Sequence, residues 1–164
     1  MTDRVAIAAT VPDAIVDGVW GGPSAQAPVA TWMQARLGGD IVDVPFRAFG
    51  FVNDKGDLIG GAYFYNHHKS GGRSDITVAV AFEPEIAENP IAFRAAIRGV
   101  LSFPFIDLGL RRVSAEIEAT NVASIDLAHR CGFVEEGRKP FAGREGADVV
   151  IMGLYRDACP FFKD

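Results

Sequence analysis

The stretch Arg111–Ala119 constrains this chain more than any other. Val113, Ala115, Ile117 and Ala119 alternate with Arg112, Ser114, Glu116 and Glu118, and that two-residue period marks a β-strand with one face turned to a core. Asn121 follows, a side chain suited to accept from the unpaired amides of a helix start. The run Val122–Cys131 then reads as a helix, and Gly132 stands where a helix end turns into left-handed backbone. Strand, cap, helix and stop come in direct succession, so this end of the chain must be built in layers of helix on sheet.

Upstream, Arg47–Val52 and Leu58–His67 read as two strands joined by the loop Asn53–Asp57, where Gly56 is available for positive φ. Asp75–Phe82 reads as a third strand; neither of its faces carries charge, which predicts that both are covered, as in a central strand. Pro90–Ile106 reads as a largely buried helix with Asn89 as its cap. Arg94, Arg98 and Ser102 form one narrow polar stripe on it, and Pro104 distorts its last turn. Two more strands, around Phe133–Gly137 and Asp148–Tyr155, flank a charged loop rich in glycine. Residues 1–27 read as a short strand and irregular chain, and Val29–Leu37 as a short helix stopped by Gly38 and Gly39. The order predicts an α+β (α/β layered) protein around one mixed sheet, with residues 1–164 as a single domain whose first 40 residues are irregular.

Composition narrows the function classes. The formal charge of −5 argues against a duplex nucleic-acid binder. No apolar run approaches the roughly 20 residues of a membrane span, and acidic residues arrive too early for a secretory h-region, so a cytoplasmic protein is expected. With two cysteines and three histidines, no metal site is expected.

The segment Leu108–Asn121, followed by Ser124, Gly132-Phe133 and Glu136-Gly137, resembles the GNAT superfamily of N-acetyltransferases. It looks most like the branch that holds the ribosomal-protein N-terminal alanine acetyltransferases, which also ends on a strand similar to Asp148-Val-Val-Ile-Met-Gly153-Leu-Tyr-Arg156. The resemblance implies a mostly antiparallel central sheet with a V-shaped splay, flanked by helices. It implies acetyl-CoA as cofactor and transfer of its acetyl group to a primary amine, on a small molecule or a peptide, by direct attack. Such chemistry needs an unprotonated amine, a donor for the oxyanion and a proton for the leaving thiolate. By resemblance, Asn121 holds the pantetheine arm, Ser124 lies near the sulfur, and backbone N–H groups at Val80, Ala81 and Phe82 polarise the thioester carbonyl.

Each candidate also has a plainer role. Asn121 caps a helix in any protein, and Ser124 is small enough simply to permit close packing. Glu116 and Glu118 share one strand face and either attract an amine or form a solvated rim. Glu83 ends the third strand, where family members place a general base. Tyr63, Tyr65, His67 and His68 end the neighbouring strand and could line the acceptor mouth, the histidines being also consistent with an exposed loop.

Two departures stand out. Many family members carry a Tyr general acid seven residues after the Asn, where this chain has Ala128; Ser124, a water or Tyr155 must then substitute. The family's glycine-rich pyrophosphate loop corresponds to Phe82–Arg94, which holds no glycine, three glutamates (Glu83, Glu85, Glu88) and Pro90. Arg94 is the nearest cation for a diphosphate, with Arg98 a turn further on. Three readings follow: an acetyl-CoA-dependent N-acetyltransferase; a catalytically silent GNAT-fold binding module; and a divergent phage-type transferase acting on a nucleic-acid base through Arg94, Arg98, Arg111 and Arg112. A monomer or a homodimer is expected, the tail Ala158–Phe162 either packing on the core or forming the dimer contact.

Overall fold

Aromatic and β-branched residues alternate along the strands of one sheet and supply the core on both of its faces. The structure, a computed structural model, describes residues 6–8, 15–16, 19–20, 23–37, 47–67 and 75–162. The elements in chain order are β1 (Ala6–Ala8), β2 (Ile15–Val16), β3 (Val19–Trp20), α1 (Pro23–Leu37), β4 (Arg47–Val52), β5 (Leu58–Tyr65), β6 (Thr77–Phe82), α2 (Pro84–Ala87), α3 (Pro90–Ser102), a π-turn (Phe103–Asp107), β7 (Arg112–Glu118), α4 (Val122–Arg130), β8 (Val134–Lys139) and β9 (Val149–Tyr155). Among the described residues the main sheet has seven strands in the order β1-β4-β5-β6-β7-β9-β8, and β2 and β3 make a separate pair. Every neighbouring pair in the main sheet is antiparallel except β6 and β7, which run parallel. The expected fold class, a mostly antiparallel mixed sheet flanked by helices, is the one observed.

The larger core joins Phe49, Phe51 and Phe64 of the sheet to Phe93, Ile97 and Phe103 of α3 and the π-turn. On the opposite face Val29 and Met33 of α1 pack on Ala48 and Tyr63. Cys159 and Phe161 are buried, so the tail packs on the core.

Several boundaries differ from the sequence reading, each for a local reason. Strand β5 stops at Tyr65, because Asn66 takes a left-handed φ of 58°; His68 lies outside the described residues. Helix α1 starts at Pro23 instead of Val29, and Gly38 and Gly39 also lie outside the described residues. Helix α3 ends at Ser102 and passes into the π-turn, where the Leu108 amide reaches back to the Phe103 carbonyl at 3.0 Å. Pro104 lacks the amide that a continuing α-helix requires, and the wider turn absorbs that loss. The segment Pro84–Ala87, read as loop, is the short helix α2. At Gly132 the expected helix stop is present, with φ of 94°.

The main difference concerns the edge of β6. Both of its faces are covered as expected, Val80 and Phe82 packing on the larger core and Ala79 and Ala81 on the α1 side, but only Thr77 and Val78 are fully buried and Ala79 to Phe82 are half-buried. It pairs along its whole length with β5, from Tyr65↔Thr77 to Gly60↔Phe82. With β7 it pairs only at Thr77↔Ser114, where the Ser114 amide donates to the Ile76 carbonyl at 2.8 Å. Strand β7 is meanwhile fully paired with β9, from Arg112↔Tyr155 to Glu118↔Val149. The two halves of the sheet thus meet at one end and part at the other.

A polar network closes the joined end. Ser114 Oγ donates to Asp75 Oδ2 at 2.7 Å, and Arg112 Nη2 donates to Ser114 Oγ at 2.9 Å and to Glu136 Oε2 at 2.8 Å. Arg112 Nε faces Asp75 Oδ1 at 3.4 Å, and the Tyr155 hydroxyl donates to Glu136. Hydrogen bonds from Arg112 and then from Tyr155 hold the Glu136 carboxyl below the usual carboxylate range. A lowered folded pKa stabilises above the unfolded value of about 4.3 and ceases to do so as pH falls through the folded one. Glu136→Gln therefore lowers the urea midpoint at pH 7, and the gap to the unsubstituted protein closes as pH drops below about 4. Ser114→Ala removes two part-buried hydrogen bonds, to Asp75 and from Arg112, and lowers unfolding free energy by about 1–3 kcal/mol with an unchanged urea slope.

Candidate active site

Backbone alternation decides what the opening between β6 and β7 presents. The Glu83 amide donates to the Ile59 carbonyl of β5 at 2.8 Å, so the odd-numbered peptide groups of β6 face β5. Those of Val80 and Phe82 face the other way, into the opening, past Val78 at the joined end. The Ser114 amide faces β6, so the peptide groups of Glu116 and Glu118 face the opening from the β7 side. Beyond Thr77↔Ser114 these groups have no strand partner among the described residues. Two unpaired strand edges thus confront each other across a cleft of about 920 Å³, a setting in which an extended ligand can bond like an added strand.

Helix α4 heads this cleft. Asn121 Oδ1 accepts from the Ser124 amide at 3.1 Å, and the Asn121 carbonyl accepts from Ile125. The capping role uses only the side-chain oxygen; Nδ2 has no partner among the described residues and lies at the cleft wall. Cap and ligand contact are therefore compatible in one residue. Ser124, one turn on, also lines the cleft, and its hydroxyl makes no hydrogen bond among the described residues. Ala128 sits one turn further and is buried without a polar group.

The other side is aromatic and charged. Tyr63 and Tyr65 line the cleft with ring centroids 5.4 Å apart. Burial raises both phenol pKa values, and for Tyr65 the Tyr63 and Glu116 charges add to it, so both stay protonated at neutral pH. Glu116 and Glu118 lie on this wall, and each already holds an internal cation. Lys139 Nζ reaches Glu116 Oε1 at 2.7 Å, and Arg144 donates to Glu118 Oε1 from its backbone amide at 2.8 Å and from Nε at 3.0 Å. The Arg144 hydrogen bonds hold the Glu118 carboxyl below its ordinary value. Arg144 Nη2 also donates to the Leu37 carbonyl of α1 at 3.2 Å, tying α1 to β7 across this side of the cleft. Burial pushes the Cys131 thiol up to about 12, which makes it a poor nucleophile.

Of the candidates read from sequence, Tyr63, Tyr65, Val80, Glu116, Glu118, Asn121 and Ser124 converge on the cleft. Ala81 does not, since its amide faces β5. The Phe82 ring packs between Phe51 and Phe93. Glu83 lies outside the cleft, ion-paired with Arg36, whose guanidinium stacks 3.6 Å from the Trp32 ring. Arg94 and Arg98 lie over Phe161 and Phe162. Tyr155 sits at the joined end with Glu136 and Arg112, away from the cleft wall. His67 approaches the Asp75 carbonyl at 3.3 Å instead of lining the cleft. Gln34, Leu37 and Arg144 line it although no sequence motif marks them; the Arg144–Leu37 contact joins residues 107 positions apart, so no local pattern signals it.

The acetyltransferase (GNAT) domain model matches residues 2–134, most of the chain. The chain belongs to the GNAT family of acetyltransferases. Among curated proteins, no sequence matches it. A spermidine N-acetyltransferase from Vibrio cholerae, solved as a point mutant, superposes with a TM-score of 0.58 at 23% identity, covering 68% of this chain and 64% of that one. The Vibrio cholerae spermidine N-acetyltransferase in complex with CoA and spermine gives 0.57 at 23% identity, covering 68% and 66%. A GNAT-family acetyltransferase from Bacillus anthracis gives 0.53 at 21% identity, covering 67% and 66%. The chain spans just under two thirds of the length of these structures, and the likeness is one of fold. As a GNAT domain the chain carries a fold used for acetyl transfer from acetyl-CoA. No described helix is long and apolar enough to cross a membrane.

Arg144→Met releases the Glu118 carboxyl. A carbon-detected NMR titration then finds Glu118 moving up toward the ordinary glutamate value of about 4.3, from a lower value in the unsubstituted protein.

Proposed function

We propose that this protein is an N-acetyltransferase that moves an acetyl group from acetyl-CoA to a primary amine by direct attack. The parting of β6 and β7 after a single paired position carries this reading, because it leaves two unpaired peptide edges in a cleft headed by Asn121. Acetyl-CoA supplies the activated acetyl thioester. The slot suits its pantetheine arm: among the described residues the peptide groups of Val80 and Glu116 have no strand partner, and Asn121 Nδ2 and the Ser124 hydroxyl have no acceptor. Val80 N–H serves to polarise the thioester carbonyl, Asn121 positions the arm, and Ser124 donates toward the departing sulfur. The amine nitrogen gains the acetyl group and loses a proton, and the sulfur takes one up.

The acceptor enters from the Tyr63 and Tyr65 side. Polyamines, the substrates named for the Vibrio cholerae structures, are one candidate class. Lys139 and Arg144 already neutralise Glu116 and Glu118 here, which favours an amine with a single charge and an apolar body against the tyrosine rings. Ala128 favours the alternative of a silent GNAT-fold binding module, because the usual acid is missing. A nucleic-acid base as acceptor has less support: Arg112 is ion-paired, and Arg94 and Arg98 are stacked on phenylalanines.

The deciding experiment mixes the protein with acetyl-CoA and a panel of primary amines and follows free thiol and acetylated amine. Amine-dependent thiol release is expected; binding without turnover for every amine identifies a silent module instead. Asn121→Ser keeps a capping oxygen but loses Nδ2. It is expected to lower kcat/KM for the donor by about tenfold, the worth of one hydrogen bond, while helix content by circular dichroism is unchanged.

A further inference from the structure

A nucleotide diphosphate bound at a helix start needs free backbone N–H groups, and in this fold that place is the segment between β6 and α3. There the amides are already occupied. Ile86 and Ala87 donate to the Glu83 carbonyl, Glu88 to Pro84 and Asn89 to Ile86. Pro90 has no N–H. Asn89 Oδ1 accepts from Ile91 at 3.1 Å and from Ala92 at 3.2 Å, and Phe93 donates to the Asn89 carbonyl at 2.8 Å. From Ile86 to Phe93 every backbone N–H has an internal acceptor, so no nest of donors faces outward.

The charges oppose a diphosphate as well. Glu85 and Glu88 are exposed with no cation partner among the described residues, and Glu83 is held by Arg36. Arg130 stacks 4.4 Å from the Phe93 ring and donates to the Ala87 carbonyl at 3.4 Å. Arg36 and Arg130 are thus both engaged, while Glu85 and Glu88 have no cation partner among the described residues. Packing holds the segment in this form: Ile86 is fully buried, and its Cδ1 lies 2.9 Å from where a Cβ on Gly60 would be. A swing of α2 that freed these amides would empty that seat.

We infer that this site recognises its acyl donor through the pantetheine arm, and that the nucleotide half of CoA contributes little to binding. The donor class is then an acylated pantetheine thioester, for which the adenosine diphosphate is dispensable. The inference rests on reading the cleft as a thioester slot, and it concerns the other end of the ligand.

Two measurements on the full chain test it. Calorimetry compares CoA with pantetheine as ligands, and steady-state kinetics compares acetyl-CoA with S-acetyl-pantetheine against one amine. The expected result is that each pair agrees within about tenfold and that CoA affinity changes little with added salt. A preference for CoA of about a hundredfold or more, equivalent to several charge-assisted contacts, overturns the inference and leaves the transferase reading intact. Equal binding of CoA and pantetheine without turnover of either thioester supports the inference and overturns the transferase. Failure of both ligands to bind removes the slot and the inference together.

Discussion

The pairing of Thr77 with Ser114 is the contact on which the site depends. It is the only register position shared by β6 and β7 among the described residues, and side chains reinforce it from both strands. Asp75 accepts from Ser114, Arg112 donates to Ser114 and faces Asp75, and Glu136 with Tyr155 completes the cluster. A half-buried network of this kind is electrostatically stronger than the same bonds in water, because little solvent competes for them. It holds two fully hydrogen-bonded half-sheets together at one end. Each half satisfies its own ladder, β6 with β5 and β7 with β9. The opening therefore needs no strained backbone; its unsatisfied groups are confined to the edges that face the cleft.

The cleft that results is uneven along its length. Its middle offers unpaired peptide groups, Asn121 and Ser124. The acceptor side is lined by two neutral phenols and two carboxylates that hold their own cations. The segment before α3, where related proteins take a diphosphate by resemblance, carries a capped helix start, two prolines and the carboxylates of Glu85 and Glu88, which have no cation partner among the described residues. The hydrogen-bonding groups without partners among the described residues are concentrated in the middle of the cleft. Arg144 links both sides by bonding Glu118 of β7 and the last carbonyl of α1. It is the least local element of the site, and it comes from the loop between the two final strands.

How much of this was legible in the sequence varies with the range of the interaction. Short-range features could be read directly. Alternation placed β7, Asn121 and Gly132 bounded α4, and Asn89 with Pro90 began α3, because capping and helix termination act within four residues. The departures at Ala128 and in Phe82–Arg94 were equally visible, since a missing side chain or amide needs no partner to be noticed. Partnerships across the chain were not visible. Glu83 has the chemistry of a base, yet it ends β6 beside Arg36; Arg94 has the charge for a phosphate, yet it stacks on Phe161. The open edge of β6 was hidden for the same reason. An uncharged strand reads as covered on both faces, which it is, but nothing in Thr77–Phe82 announces that its neighbour departs after one residue.

The amino-acid sequence alone determined the strand-and-helix order and the capped helix that carries Asn121 and Ser124, because periodicity, caps and turn residues are local properties of the chain; the likeness to the GNAT family rested on motif resemblance instead. Tertiary structure alone decided which peptide groups stay unpaired, which carboxylates keep their charge free and which amides can still meet a ligand. Those outcomes depend on which residue arrives opposite another from far along the chain, and a one-dimensional pattern does not encode that encounter.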